Sequence, residues 1–593
     1  MNDLFFYDIE CFSHDSLVVF KDIENHEVAH FWSTGYEKFG QNGFEKIADL
    51  IHGHTLVGYN NHYYDDKILT AMINGYPQKA LKVENDKIIN GEQSYIKPSF
   101  MSLDCMQEID VSRPSLKLIE GNMGRSILES SVPFDINRPL TQAEKDEVLE
   151  YCRYDVQSTI EVFKLRKHSY FDTKKTLLEL DSTLPKTAGN WNTTTISANI
   201  LTHGEPLKKT NELSIPDDKW RKVKDIPPEV WNMWETACIP EGPALKKFTI
   251  IKYGCRIDFG FGGLHGVAVR DKAGTIDKSK FHNVKLLDVG SMYPSIVVLM
   301  NGLGNSTALY DQIRLERLAV KKSDPLRANA LKLILNSVYG NLKQQYSLLY
   351  NPMMSVSVCA YGQMALFDLS RRLYESGYRL INLNTDGVAF KQSGPVSKGW
   401  ETIQEEWESE WGLYLDLDKF KVWIQKDVNN YVAIKDDDKI KVKGGEVNKY
   451  HFEPEKGTHK LFSNNNCRVV HRAIVDKLLF NKDPIETLAE CLDKPEMFQY
   501  VLKAGRTYKG VCDSDGNFNQ KVNRVFAAKE TAPHTKLYKV REDGGKVNFP
   551  DAPERMYLWN DDVNKIKNFS KIIDLNHYLN LIIKKLEAWG VYS

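Results

Sequence analysis

The chain has 593 residues, 42% of them hydrophobic and 26% charged, a length too great for one core and a composition ordinary for a soluble multidomain protein. No run approaches the ~18 uninterrupted apolar residues of a membrane helix. The start, Met1-Asn2-Asp3, carries an acid where a secretory signal carries bases, so neither membrane insertion nor export is expected. Nine scattered cysteines without a Cys-x-x-Cys pair point to neither zinc nor disulfides and fit a reducing cytoplasm. With 78 basic and 79 acidic residues the net charge is −1, which leaves nucleic-acid binding open, because a cleft needs only a local excess of cations.

Short β-like runs mix with helical ones, so the fold class is α/β and α+β multidomain. Phe6, Asp8 and Glu10 share one face of a strand, with Phe5, Tyr7 and Ile9 on the other. Two acids on one face repel unless a cation neutralises them. Taken alone, a solvated edge strand ending in acids is the better explanation of them. The segment Gly58-Tyr59-Asn60-Asn61-His62-Tyr63-Tyr64-Asp65 adds a further acid. Thr141-Gln142-Ala143-Glu144 is a capping box that opens a helix, on which Tyr151 and Asp155 stand one turn apart. Asp155 continues a stripe containing Val148 and Cys152, where an unpaired acid is costly. Four carboxylates can hold two divalent ions ~4 Å apart, clamping the attacking water and the leaving oxygen of a phosphodiester.

A polar stretch with Trp and Pro, residues 183–243, carries few cues, and Gly260-Phe261-Gly262-Gly263 follows. Beyond a β-like run at 284–287 stands Asp288-Val289-Gly290-Ser291-Met292-Tyr293-Pro294-Ser295. A helical run at 310–322 places Arg317 and Lys321 four apart, and Asp324-Pro325 suits the start of a second helix. That helix carries Lys332, Asn336 and Tyr339 on one face, within Lys332-Leu333-Ile334-Leu335-Asn336-Ser337-Val338-Tyr339-Gly340. Residues 379–384 and Thr385-Asp386-Gly387-Val388 read as two strands joined at an Asp-Gly turn. Lys441-Val442-Lys443-Gly444 reads as lysines beside a glycine turn, open to phosphates without sequence preference.

The first set, in its order, resembles the Exo I, Exo II and Exo III motifs of DnaQ-like proofreading exonucleases on an RNase H-like fold. The resemblance puts Asp8, Glu10, Asp65 and Asp155 on metal-binding positions and gives Tyr151 the role of orienting water. The second set resembles family B DNA polymerases. Its motif A, Asp-x-x-Ser-x-Tyr-Pro-Ser, is expected by chance only about 2 × 10⁻⁴ times in a chain of this length. Motif B, Lys-x-x-x-Asn-Ser-x-Tyr-Gly, follows. Motif C departs from the usual Asp-Thr-Asp-Ser, with Asn384 for the first acid and Gly387 for the serine, while Asp386 matches the second acid. Loss of one charge there bears on metal preference and rate. Gly262-Gly263 resembles the linker between exonuclease and palm, and the Lys-x-Tyr primer-strand motif has only an approximate counterpart near Tyr431.

The resemblance implies an RNase H-like exonuclease domain over 1–165, followed by a right-hand polymerase. Its parts are a linker and N-terminal palm (166–306), fingers (307–342), a palm region with motif C (343–448) and a thumb (449–593). It implies two Mg²⁺ per active site, replaceable by Mn²⁺, with Asp288 and Asp386 as the palm ligands. Arg317, Lys321, Lys332, Asn336, Tyr293 and Tyr339 are implied to hold the incoming dNTP, with Tyr293 as steric gate, and Lys441, Lys443 and Gly444 the primer–template DNA. The spacings Asp288 to Lys332 (44 positions) and Lys332 to Asp386 (54) leave no room for the long insertions of protein-primed phage polymerases. A nucleic-acid primer is therefore expected, with helicase or single-strand-binding protein as helper, in a monomer acting in phage replication in the cytoplasm of an infected bacterium. Two alternatives stand beside this reading: an exonuclease with a decayed polymerase half, and a non-enzymatic primer–template scaffold.

Overall fold

The computed structural model describes residues 4–33, 43–110, 112–237, 247–451 and 467–591. The opening residues 1–3, the end of the polar stretch from 238 to 243, and residues 452–466 of the C-terminal region lie outside the described residues. The described chain is a mixed α/β multidomain structure with four sheets. No helix among the described residues is long and apolar enough to cross a membrane.

The N-terminal sheet has the order β3-β2-β1-β4-β5. Its strands are β1 (Leu4–Cys11), β2 (Ser16–Lys21), β3 (Glu27–Trp32), β4 (Thr55–Gly58) and β5 (Ser102–Asp104). The β1–β2 and β2–β3 pairs are antiparallel, whereas β1–β4 and β4–β5 are parallel. Strand alternation sends Tyr7, Ile9 and Cys11 into one core with α1 (Gly43–Ile51), α2 (Asp65–Ile73) and α3 (Gln78–Ile89). Phe6 enters the opposite core with Ile119 of α4 (Leu116–Asn122) and with Val148, Cys152 and Val156 of α5 (Gln142–Arg166). The capping box is formed: the Thr141 side chain accepts from the Glu144 amide, and the Glu144 carboxylate accepts from the Thr141 amide. Three helices follow, α6 (Asp172–Glu179), α7 (Thr193–Thr202) and α8 (Pro228–Thr236). The last two show what the polar stretch hides: Asn192 caps α7, and α8 buries Trp231 and Trp234.

The central sheet has nine strands, all paired antiparallel, in the order β14-β13-β12-β9-β11-β10-β8-β7-β6. In chain order they are β6 (Lys247–Lys252), β7 (Cys255–Gly260), β8 (Gly263–Ala268), β9 (Phe281–Val289), β10 (Tyr378–Leu383), β11 (Gly387–Gln392), β12 (Leu415–Asp427), β13 (Asn430–Lys435) and β14 (Ile440–Lys443). A large core packs α9 (Met292–Leu299), α10 (Thr307–Val320), α11 (Pro325–Asn341), α12 (Pro352–Glu375) and α13 (Trp400–Trp411) with this sheet. Asp324 caps α11 with Pro325 as its first residue, and the Tyr310 hydroxyl donates to the Leu335 carbonyl at 2.9 Å, tying α10 to α11.

Three local expectations are corrected. The first helical run begins at Thr307 and ends at Val320, so Lys321 stands at its C-cap. The β10–β11 loop is Asn384-Thr385-Asp386 and Gly387 is already strand, paired with Asp288. A Cβ on Gly387 would fall 2.7 Å from an Asp288 carboxylate oxygen, so this glycine makes room for an acid instead of turning the chain. Gly262-Gly263 turns β7 into β8 inside the central sheet instead of bridging two domains, and Gly263 has φ +126°.

The C-terminal region contains two small sheets, β15-β18-β21 and β17-β16-β19-β20. Their strands are β15 (Tyr500–Lys503), β16 (Gly510–Cys512), β17 (Phe518–Asn519), β18 (Val522–Ala527), β19 (Tyr538–Val540), β20 (Lys546–Asn548) and β21 (Met556–Leu558). They share a core with helices Arg468–Phe480 and Leu575–Ala588.

Candidate active sites

In the N-terminal sheet, Asp8 and Glu10 of β1, Asp65 at the first position of α2, and Asp155 of α5 line one cleft of about 490 Å³. Asp65 reaches it because the chain rises from β4 through a turn in which Asn60 holds φ +61°. The Asp104 carboxylate fixes that turn by accepting the Asn60 amide at 2.7 Å. Asp66 points the other way, accepting from the Tyr7 hydroxyl, Asn61 and Ser102. Burial followed by the charge of Asp155 pushes the Asp8 carboxyl up to about 7, and burial then neighbouring acids push Glu10 and Asp65 well up. Tyr151 lies over the same cluster, one turn before Asp155, and burial with the charge of Asp155 raises its hydroxyl.

Sequence reasoning missed Lys117. Its ammonium is buried on α4 and bonds the Asp155 carboxylate, with Glu120 at 3.4 Å and the Tyr151 ring 4.6 Å from its nitrogen. Burial pulls the Lys117 pKa down, but Asp155 and Glu120 more than restore it, so the group stays charged. Lys117 and Asp155 are 38 positions apart, and no local spacing pattern links them.

The second site lies in the central sheet. In register, Asp288 of β9 stands between Gly387 of β11 and Asp416 of β12. A cleft of about 980 Å³ gathers Asp288, Asp386 and Asp416 with Tyr293, Arg314, Arg317, Lys321, Lys332, Asn336 and Tyr339. Burial, then the charge of Asp386, raises the Asp288 carboxyl to about 7. Asp416 was not anticipated: it belongs to an Asp-x-Asp pair on β12 whose second member, Asp418, pairs with Lys435 at 2.9 Å and Lys441 at 3.9 Å. Arg317 donates to the Ser291 hydroxyl at 3.3 Å, whereas Arg314 is held by Asp311. Lys332 and Asn336 are exposed toward the cleft, while Ile334, Leu335 and Val338 are buried behind them.

The glycine turn serves this site. The Tyr293 and Tyr339 rings pack at 4.3 Å, and their hydroxyls donate to the carbonyls of Gly262 (3.4 Å) and Phe261 (3.2 Å). Gln363 exchanges two hydrogen bonds with the Gly260 backbone. Asn384 is buried, and its amide oxygen accepts from the Lys443 ammonium at 3.1 Å. Lys443 is in register with Tyr431, which is buried, stacked on Trp423 at 4.2 Å and preceded by two asparagines instead of a lysine. Gly444 has φ +114°, and a Cβ there would collide with the Asn430 side chain.

The N-terminal cluster has a donor set suited to a hard divalent cation. Asp8, Glu10 and Cys152 bring one ligand atom each within 4.8 Å of one another. Burial holds the Cys152 thiol well up, and it donates to the Asp8 carboxylate at 3.6 Å. The available donors are therefore carboxylate oxygens, the set that Mg²⁺ and Mn²⁺ prefer over thiolate-seeking metals.

No family model matches the chain, and no curated protein matches it. Among solved structures it is similar to the family B DNA polymerase from the hyperthermophilic archaeon Pyrobaculum calidifontis. The two share 14% identity at a TM-score of 0.43, over 100% of this chain and 78% of that one.

Proposed function

We propose that the chain is a DNA-directed DNA polymerase with a separate 3′→5′ exonuclease site, extending a nucleic-acid primer from dNTPs in phage genome replication. The observation that carries this reading is the larger cleft. It joins an acid cluster, Asp288 and Asp386, to cations and an amide suited to a triphosphate and sugar: Arg317, Lys321, Lys332 and Asn336. Asp288 and Asp386 are the residues to hold two Mg²⁺, which supply charge neutralisation and activation of the primer 3′-hydroxyl when bound. Around them Arg317, Lys321 and Lys332 collect the polyphosphate, and the Tyr293 ring, braced on Tyr339, occupies the space a ribose 2′-hydroxyl needs. Lys441 and Lys443 meet the primer–template backbone. In the smaller cleft Asp8, Glu10, Asp65 and Asp155 would hold the divalent ions that activate water for hydrolysis, and Tyr151 would orient that water.

A nuclease with a silent polymerase half is the second reading, and Asn384 is the observation that favours it. One experiment separates the two. A 5′-labelled primer on a longer DNA template, with Mg²⁺, is incubated with and without dNTPs, using the wild type, Asp386→Ala and Asp8→Ala. Extension with dNTPs and shortening without them are expected. Asp386→Ala should lose extension by ~10²–10³-fold and keep shortening, and Asp8→Ala should do the reverse. Shortening by the wild type in every lane, with Mn²⁺ and excess dNTPs included, would establish the second reading.

A further inference from the structure

The C-terminal region docks on the N-terminal site through a built interface. The Arg524 side chain on β18 is wholly buried and donates to the carbonyls of Gly121 and Arg125, at the end of α4. The Gln499 amide donates to the Asn122 carbonyl at 3.2 Å, and the Lys503 ammonium to the Ser115 hydroxyl at 3.0 Å. Backbone bonds cross as well, from the Ile127 amide to Asn560 at 2.7 Å and from the Val563 amide to Gly124 at 2.9 Å. A Cβ on Gly121 would lie 2.6 Å from Val501, so β15 is pressed directly on α4. This packing fixes the segment that leaves β15, and Arg506 on that segment lines the cleft of Asp8, Glu10, Asp65 and Asp155.

Arg506 is exposed and makes no ion pair or hydrogen bond among the described residues, although four carboxylates line the same cleft. It is the only basic residue that lines this cleft among the described residues. Lys117, the other cation nearby, is committed to Asp155. A single DNA strand brings a phosphate at every nucleotide, and the carboxylates can meet only the one being hydrolysed, through their cations. The next phosphate along the strand needs a protein cation, and a planar guanidinium suits it better than an ammonium because it presents two parallel N–H donors.

We propose that Arg506 binds the phosphate adjoining the scissile one, so that the exonuclease site is completed by a residue of the C-terminal region. The assignment rests on the exonuclease reading above. It is tested with the full chain by comparing wild type, Arg506→Ala and Arg506→Lys on two substrates. One is a 3′-ended single-stranded oligothymidylate; the other is thymidine 5′-p-nitrophenyl phosphate, which carries only the scissile phosphate. Arg506→Ala should raise KM for the oligonucleotide on the order of 10-fold, the loss of one charge-assisted contact. That loss should exceed any loss on the small ester by about the same factor. The slope of log KM against log salt concentration should become shallower by about 0.7, the share of one single-strand phosphate contact. Arg506→Lys should restore the slope and part of the affinity. Wild-type KM and slope in Arg506→Ala, in a wild type that degrades DNA and loses that activity with Asp8→Ala, would overturn the assignment alone. A wild type with no exonuclease activity overturns the reading and the assignment together. Equal losses on both substrates would mean that Arg506 only shapes the cleft, and would also overturn it.

Discussion

At residue 384 an amide stands where the resembling family has an acid, and the structure gives it a definite partner. The Asn384 oxygen accepts from Lys443 at 3.1 Å in a buried corner beside Asp386. An aspartate there would seize the same ammonium in a charge-assisted bond and withdraw it from the DNA backbone that Lys443 is proposed to meet. It would also add a further negative charge to Asp386, Asp416 and Asp418 around Asp288, whose carboxyl already sits near 7. Asn384→Asp is therefore expected to weaken primer–template binding by roughly 10-fold, the cost of one charged contact, instead of improving the site. Steady-state KM for DNA checks this; a faster enzyme with unchanged KM would show that the missing acid, and not Lys443, limits the reaction. The neighbouring Gly387 follows the same logic, since any side chain there meets the Asp288 carboxylate. The sequence displays both departures, but their reasons lie across strands, at Lys443 and Asp288, where no local pattern reaches.

Elements with a strong internal period were legible. Strand alternation placed Asp8 and Glu10 opposite Tyr7 and Ile9, and α5 and α11 begin at their expected caps. Helix α11 presents Lys332 and Asn336 outward because Ile334, Leu335 and Val338 are buried behind them. What stayed hidden was contact between distant segments: Lys117 with Asp155, Arg506 with the carboxylate cleft, Asp416 beside Asp288. The glycine turn shows how function and conformation meet in one element. Gly263 holds φ +126°, and an added Cβ would lie 2.7 Å from Thr385 in the loop that carries Asp386. Gly263→Ala is expected to cost about 1–3 kcal/mol in backbone strain and to displace that loop. A lower melting temperature together with reduced primer extension would bear this out; wild-type values for both would show the turn to be tolerant.

For the molecule as a whole, a net charge of −1 conceals two concentrations of acid, each inside a cleft. Asp8 and Asp288 both titrate near 7 in the folded protein, against an ordinary carboxyl value of 3.8. A carboxyl whose folded pKa is raised favours the folded state while it keeps its proton, and that advantage is lost as pH rises through the folded value. Without metal, the contribution of these groups should therefore fall between about pH 4 and pH 7 and stay low above it. On the metal binding proposed above, divalent ions would take the place of the protons, so Mg²⁺ should raise the melting temperature more at pH 8 than at pH 6. Thermal melts in chelator and in Mg²⁺ at both pH values test this, and an equal Mg²⁺ effect would mean that the ions bind without displacing those protons.

Helix α4 carries a consequence for anyone who would divide the chain. One side of it bonds Asp155 through Lys117, and the other, at Gly121, is pressed by Val501. An N-terminal piece cut free near residue 165 would keep Asp8, Glu10, Asp65 and Asp155 and still lose the wall that steadies their cleft. It would bare Leu118 and Ile127, which pack against Val501 and Val522 in the intact protein. The N-terminal sheet and its helices are thus no cassette to be transplanted: their carboxylate cleft is bolted to a segment more than 300 positions further along the chain.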